Sequence, residues 1–390
     1  MPLSHPKVAF IPTNVSGVMH YRCWQQAEAM RAIGVEVAVL WYSTKQFLMH
    51  PWEEDILRED VGYLLKNDIS KACEWADIVI WMGLHTTQSL ALFHSMRIYH
   101  AKPFLTEIDD YIYAIPNRNI ASTVYTPGSG LTRILTDQMQ SSDGIICSTP
   151  YLADLYKNVN KTYVAENFIN FPSWRSRFTS PRRQGVTIGW VGGGTHDEDH
   201  ELIKDSVFEV LSKNKDVRFK YVCGGPCPEF FKGVPRLTWQ HDFSSIKQYP
   251  KWVAKKGFDI GIAPLEDNNF NRGKSNLRWL EYSALGIPCV ASPLPHFKES
   301  IVHGKTGFIA STHGEWVEHL ERLINAPDLR DTIGTAARQE VKDKWNPKVM
   351  GRKYLNIIKE ILNAKSNAVN ISDPDRGLDR RPLEPEVVGV

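Results

Sequence analysis

From Lys7 to Asn167 the chain alternates short, nearly continuous apolar runs with stretches of helical period. "KVAFIP", "VEVAVLW", "ADIVIWM", "KPFLTEID", "DGIICS" and "KTYVAEN" read as strands. Tyr21 to Ile33, stopped by Gly34, and Thr86 to Tyr99 read as helices between them. A sheet with one wet face would alternate apolar and polar residues. These runs do not, so the strands should be parallel and covered on both faces. "INFPSWRSRFTSPRRQG" then breaks both periods and reads as a linker. The alternation restarts with "VTIGWVG", a helix over Asp199–Asn214, "VRFKYVCG", "RLTWQ" and "FDIGIAP". The segment "GKSNLRWLEYSALGIP" reads as one helix, followed by strands "PCVAS" and "TGFIA".

Two consecutive doubly wound α/β domains follow from this pattern. The expected divisions are 1–170, a linker at 171–185, a second domain at 186–345, and a helix at 346–364. The Pro-, Asp- and Arg-rich stretch 365–390 has little to bury and is expected to be a disordered tail.

Composition narrows the class without naming a reaction. The 390 residues are 42% hydrophobic and 23% charged, with a net charge of +2. That suits a soluble globular protein and argues against a chain-wide polyanion binder. No run is long enough to span a bilayer, and the first residues lack the pattern of a secretory leader. A cytoplasmic location is expected, with peripheral membrane contact left open; nothing indicates an oligomeric state. Of six cysteines only Cys223 and Cys227 are close, in "CGGPC". Without a second pair they read as a strand end and turn, and no metal site is expected.

Ligands of open parallel sheets bind beyond the carboxyl ends of the strands, which makes a short list. After the first strand, Gly17 permits close backbone approach at the start of a helix, or simply a turn. "TEIDDYIY" places Glu107, Asp109 and Asp110 at a strand end. These carboxylates can bind a sugar hydroxyl, act as a base or cap a helix. "GWVGGGTHDED" offers Gly192, Gly193 and Gly194 for backbone approach, Thr195 for an anion and His196 beside them. It lacks the dinucleotide pattern, and "GKS" at Gly273–Ser275 lacks the P-loop glycine five positions earlier, where Asn268 stands. Lys274, Ser275 and Asn276 are expected in the first turn of the following helix, with Arg278 and Glu281 further along. A cation at a helix N-terminus suits a diphosphate, and a carboxylate beyond it suits sugar hydroxyls. An exposed Arg278–Glu281 pair is the plainer alternative.

"GKSNLRWLEYSALGIPCVAS" followed by "HGKTGFIA" resembles the donor-site signature of GT-B glycosyltransferases, specifically glycosyltransferase family 4 (glycosyl transferases group 1). "VAENFIN", "SGVMHYRCWQQAEAMRAIGVEVAVL" and "KWNPKVMGRKYLNIIKEIL" resemble other segments of that family, so that the likeness spans 7 to 362. The resemblance implies an acceptor-side and a nucleotide-sugar-binding Rossmann-like domain facing across a cleft, the last helix crossing back to the first domain. It also implies retention of configuration, no metal requirement and no cofactor beyond the nucleoside-diphosphate-sugar co-substrate. Glu281 matches the second glutamate of the family's E-x7-E motif, which contacts the ribose; Gly273 stands where the first would be. Diphosphate binding then falls to Lys274 with Arg272 or Arg278, and the acceptor hydroxyl is expected near Gly17, His20, Asp109 and Asp110.

A retaining glycosyltransferase acting on a glycan, a lipid-linked sugar or another polymer is therefore expected. Three alternatives stay open: a nucleotide-sugar epimerase, a non-catalytic binder, and transfer to a modified base of nucleic acid. The last would use Arg175, Arg177, Arg182 and Arg183, with Phe171, Trp174 and Phe178 between them.

Overall fold

The computed structural model describes residues 6–13, 16–40, 69–126, 128–174, 185–194, 196–242 and 244–371. All twelve strands read from the pattern are present. The first six are β1 (Lys7–Ile11), β2 (Glu36–Val39), β3 (Ile78–Met82), β4 (Phe104–Ile108), β5 (Ile145–Cys147) and β6 (Thr162–Val164). They form one parallel sheet of order β2-β1-β3-β4-β5-β6. The second six are β7 (Val186–Gly192), β8 (Val217–Cys223), β9 (Leu237–His241), β10 (Ile260–Ala263), β11 (Cys289–Ala291) and β12 (Phe308–Ile309). They form a second parallel sheet of order β12-β11-β10-β7-β8-β9.

The central strands of each sheet are buried on both faces, as their unalternating runs require, while the edge strand β9 is largely exposed. Val8 and Phe10 pack with Ile78 and Ile80 on one face of the first sheet. Ala9 and Ile11 pack with Val79, Trp81 and Phe93 on the other. In each sheet the strand order reverses beside its first strand, between β1 and β3 and between β7 and β10. That is where an open α/β sheet leaves a crevice for a ligand.

Helix α1 (17–31) follows β1 and contains a π turn at His20–Trp24. Helix α2 (Pro150–Tyr156) follows β5, and α3 (Asp197–Glu201) follows β7. The expected helix over Asp199–Asn214 is in fact α3 and a second helix, Lys204–Lys213, with a turn between them. The expected single helix after β10 is also two: α4 (Asn269–Gly273) and α5 (Leu277–Ala284). Asn268 caps α4 through Asn271 N–H, and Lys274 is already extended at φ −65°, ψ 159°. Lys274, Ser275 and Asn276 thus form a joint before α5 rather than its first turn.

The last helix, α6 (Pro347–Ile371), crosses back to the first sheet. Tyr354, Ile358 and Ile361 join the core of Val8 and Phe10. A Cβ at Gly351 would lie 2.5 Å from the Ala29 carbonyl oxygen, so the absent side chain lets α6 and α1 touch. Helix α6 runs past the expected end at 364, because no proline interrupts the pattern before Pro374. Of the expected tail, 372–390 lies outside the described residues. No described helix is long and apolar enough to cross a membrane.

Candidate active site

The carboxyl ends of both sheets face a shared cavity of about 820 Å³. The first half supplies Gly17, His20 and Tyr21 of α1, Asp109 and Asp110 after β4, and Asn167 after β6. The second half supplies Trp190 and Gly193, the segment after β10, then Lys274, Ser275, Arg278 and Glu281. Most of the expected residues therefore meet, although they are up to 264 positions apart (Gly17 to Glu281).

Along the cavity wall a polar chain joins the halves. Glu107 Oε1 accepts from Arg22 Nε at 2.8 Å, and Arg22 Nη1 donates to Asn167 Oδ1 at 2.8 Å. Asn167 Nδ2 donates to Ser275 Oγ at 2.8 Å. Arg22 and Glu107 are both buried. Glu107 is thus the structural member of the "EIDD" carboxylates, while Asp109 and Asp110 face the cavity. Burial, aided by the neighbouring Asp110, raises the Asp109 carboxyl to about 7. Burial lowers His20 to about 4, so its imidazole is neutral near pH 7 and can accept a hydrogen bond.

On the opposite wall, Lys274 Nζ lies 3.4 Å from Asp110 Oδ1 and over the Phe270 ring at 4.3 Å. Glu281 is buried. Its Oε1 accepts from Tyr21 Oη at 2.8 Å, and its Oε2 accepts from Arg278 Nη1 at 2.6 Å and Tyr249 Oη at 3.2 Å. Burial raises the Glu281 pKa, and Arg278 and the two tyrosines oppose that shift. The i, i+3 pair exists, but it is an interior pair at the cavity wall rather than a solvated one.

Several expected donor-site residues are placed elsewhere. Arg272 forks onto Asp267 at the surface and does not line the cavity. Asn276 turns inward and donates to Ser300 Oγ at 2.7 Å, because the joint before α5 directs it to the core. Of the three glycines only Gly193 lines the cavity. A Cβ at Gly192 would strike the Trp190 ring at 2.4 Å, and one at Gly194 would strike Gly225 Cα at 2.6 Å. Their missing side chains serve packing within the second half. His196 lines the cavity, with Nδ1 2.7 Å from Asp199 Oδ2. Thr195 lies outside the described residues.

Gly273 is buried where the halves touch. Its carbonyl accepts from Thr149 Oγ1 at 2.9 Å, and a Cβ would meet Leu152 Cδ1 at 3.2 Å. A larger side chain there would push α2 away from α4. Tyr21, Tyr249 and Asn167 are the site residues that pattern reading does not find. Asn167 lies in the quoted "VAENFIN", but a lone tyrosine beside a helix carries no signal. Of the linker residues, Trp174 is buried against Tyr249 and unavailable for stacking on a base. Phe171 packs on the core of the second half. Arg175, Arg177, Phe178, Arg182 and Arg183 lie outside the described residues.

Comparison with known proteins gives a consistent neighbourhood. Residues 205–356 match a family described as glycosyl transferase-like. The chain is 24% identical over 178 residues to the putative teichuronic acid biosynthesis glycosyltransferase TuaH of Bacillus subtilis, a match covering 40% of this chain and 42% of that protein. It is 32% identical over 173 residues to the capsular polysaccharide biosynthesis glycosyltransferase CapM of Staphylococcus aureus, covering 42% of this chain and 43% of that protein. The chain thus spans less than half the length of the curated relatives it matches. A glycosyltransferase structure from Rickettsia africae superposes with a TM-score of 0.64 at 17% identity, covering 92% of this chain and 99% of that one. Anabaena HepE, solved with UDP and glucose, gives 0.64 at 12% identity, covering 91% and 100%. The fold is the GT-B fold of these structures.

Proposed function

We propose that this chain is a retaining, metal-independent glycosyltransferase that moves a sugar from a nucleoside-diphosphate-sugar to a hydroxyl of a growing polysaccharide. One observation carries the reading: the cation Lys274 stands at the joint before α5, across the cleft from Asp109, Asp110 and neutral His20. Asn276 makes no side-chain cap on α5, which leaves that helix's first N–H groups for a ligand.

In the reaction, the bond between the anomeric carbon and the diphosphate oxygen breaks, and the acceptor oxygen bonds to that carbon. Negative charge grows on the diphosphate, and Lys274, Arg278 and the α5 N–H groups are fixed in place to stabilise it. The acceptor hydroxyl approaches from the first half, hydrogen-bonded to Asp109, Asp110 or His20. Its O–H bond breaks as the new bond forms, the proton passing to one of the two carboxylates or to the leaving diphosphate oxygen. Glu281 receives the ribose hydroxyls. HepE was solved with UDP-glucose, and the names of TuaH and CapM belong to polysaccharide synthesis; both support this donor and acceptor class.

The test is a panel of UDP-, GDP- and dTDP-sugars on the purified chain, read by melting temperature and by nucleoside diphosphate release. A donor at about a hundred times its Kd should add roughly 2.7 kcal/mol of stability. If no member raises the melting temperature or is turned over, the proposal is wrong. Binding without turnover would make the chain a non-catalytic binder, and an epimerised donor would make it an epimerase.

A further inference from the structure

Two of the second-half side chains that the proposed donor requires, Glu281 and Lys274, each contact a side chain of the first half. Glu281 gives Oε1 to Tyr21 at 2.8 Å, while Arg278 and Tyr249 take Oε2. Its side chain is only 3% exposed and its Oε1 is taken by Tyr21, so a ribose hydroxyl that bonds Oε1 must displace the Tyr21 hydroxyl. Lys274 faces Asp110 at 3.4 Å, where a diphosphate oxygen would have to sit.

Tyr21 belongs to the π turn of α1. Such a turn is a local widening that can change its hydrogen-bond register, and these turns are frequent at functional positions. His20 packs edge-on against the Tyr21 ring at 5.2 Å, so displacement of Tyr21 would also move the imidazole facing the acceptor.

We propose that Tyr21 and Asp110 form a latch across the cleft that the donor displaces, so that donor affinity is set from the acceptor side. This rests on the donor-site reading above. A ribose hydroxyl replaces the Tyr21 hydroxyl at Glu281, and a diphosphate oxygen replaces Asp110 at Lys274. Asp110 is then released toward the acceptor at the moment the donor arrives. Tyr21 is a positioning residue: it acts through Glu281 and takes no part in bond making. A ligand can shift such an equilibrium only by its differential affinity for the two states, and here the latched state has both donor contacts occupied.

Titration calorimetry of the full chain with UDP, and in parallel with GDP and dTDP, tests the latch. Tyr21→Phe removes one hydroxyl and keeps the ring. It should tighten the Kd of the diphosphate that binds best by about tenfold, the scale of a hydrogen bond to a charged group. Asp110→Asn, at a more open position, provides a second arm and should tighten it by about threefold. Lys274→Ala should weaken it by at least tenfold. A lost structural contact would weaken binding, so tightening by Tyr21→Phe, which removes no charge, is specific to a latch. Asp110→Asn also removes a negative charge beside the diphosphate and counts only together with it. If Tyr21→Phe and Asp110→Asn bind as wild type or more weakly while Lys274→Ala loses binding, the latch is overturned and the donor site stands. If Lys274→Ala binds like wild type, or no diphosphate binds wild type or either latch variant, the donor-site reading and the latch fall together.

Discussion

The two halves share one plan, a doubly wound parallel sheet opening its carboxyl ends to the cleft, yet they treat buried charge differently. In the first half Glu107 is balanced internally, by Arg22 of α1 and through it Asn167. In the second half Glu281 is only partly balanced by its own Arg278 and Tyr249, and its remaining oxygen is taken by Tyr21 of the first half. The Arg22–Glu107 pair is therefore closed within the first half, whereas the bonding of Glu281 is closed only across the cleft. Under the proposed function, a contact closed only across the cleft is one that the donor can take over.

Arg22→Met should break this comparison most severely. It leaves Glu107 buried without its counter-charge, which costs about 3–5 kcal/mol in such sites. The thermal midpoint at pH 8 should fall steeply. The loss should shrink in acid, because burial raises the Glu107 pKa and protonation removes the stranded charge.

Lys274→Ala should separate function from stability. Its pair with Asp110 is partly exposed, so the loss in unfolding free energy should stay within about 1 kcal/mol. Diphosphate affinity, measured on the same preparation, should drop by about 1.5–3 kcal/mol, the range for a hydrogen bond to a charged group. A stability loss larger than the affinity loss would make Lys274 structural.

Asp109 supplies a pH dependence of known sign. Its carboxyl is raised from the ordinary aspartate value of 3.8 to about 7 in the folded protein. The folded state then holds its proton more tightly than the unfolded state, so stability falls as pH rises between those values and is level above about 7. Asp109→Asn should remove that slope, and at pH 8 the variant should be more stable than wild type by about 1–2 kcal/mol after water in the cleft screens the shift. Parallel thermal curves for wild type and variant across this range would contradict the assignment.

The smallest effect on folding belongs to Gly17→Ala. A Cβ there meets nothing within 4 Å, and alanine suits a helix start better than glycine, so stability should be unchanged or rise by up to about 1 kcal/mol. If the donor backs onto Gly17, diphosphate-sugar affinity should nevertheless fall. Unaltered binding would move the donor away from α1.

Most strands were legible because a strand covered on both faces must be apolar throughout; the exposed edge strand β9 is the exception and was read from its place in the alternation. The candidate site was legible where strand ends carry unusual polar groups, as at Asp109 and Lys274. Legibility failed where side chains of one segment point different ways. Lys274, Ser275 and Asn276 are neighbours, yet they go to Asp110, to Asn167 and to Ser300 respectively. Periodicity could not show that Asn268 would cap a short helix and end it at Gly273. The glycine triplet misled for a similar reason, since a missing side chain can admit a ligand or another stretch of backbone.

The sequence by itself determined the two parallel α/β layers, the returning last helix and the class of chemistry suggested by the "GKSNLRWLEYSALG" segment. Those features depend on local period and on residue type. The tertiary structure alone decided which groups meet: Glu281 with Tyr21, Ser275 with Asn167, Gly273 with Thr149 and Leu152. These partners are separated by more than a hundred positions, and no local rule links them. Only the closure of one sheet's open end against the other brings them within hydrogen-bond reach.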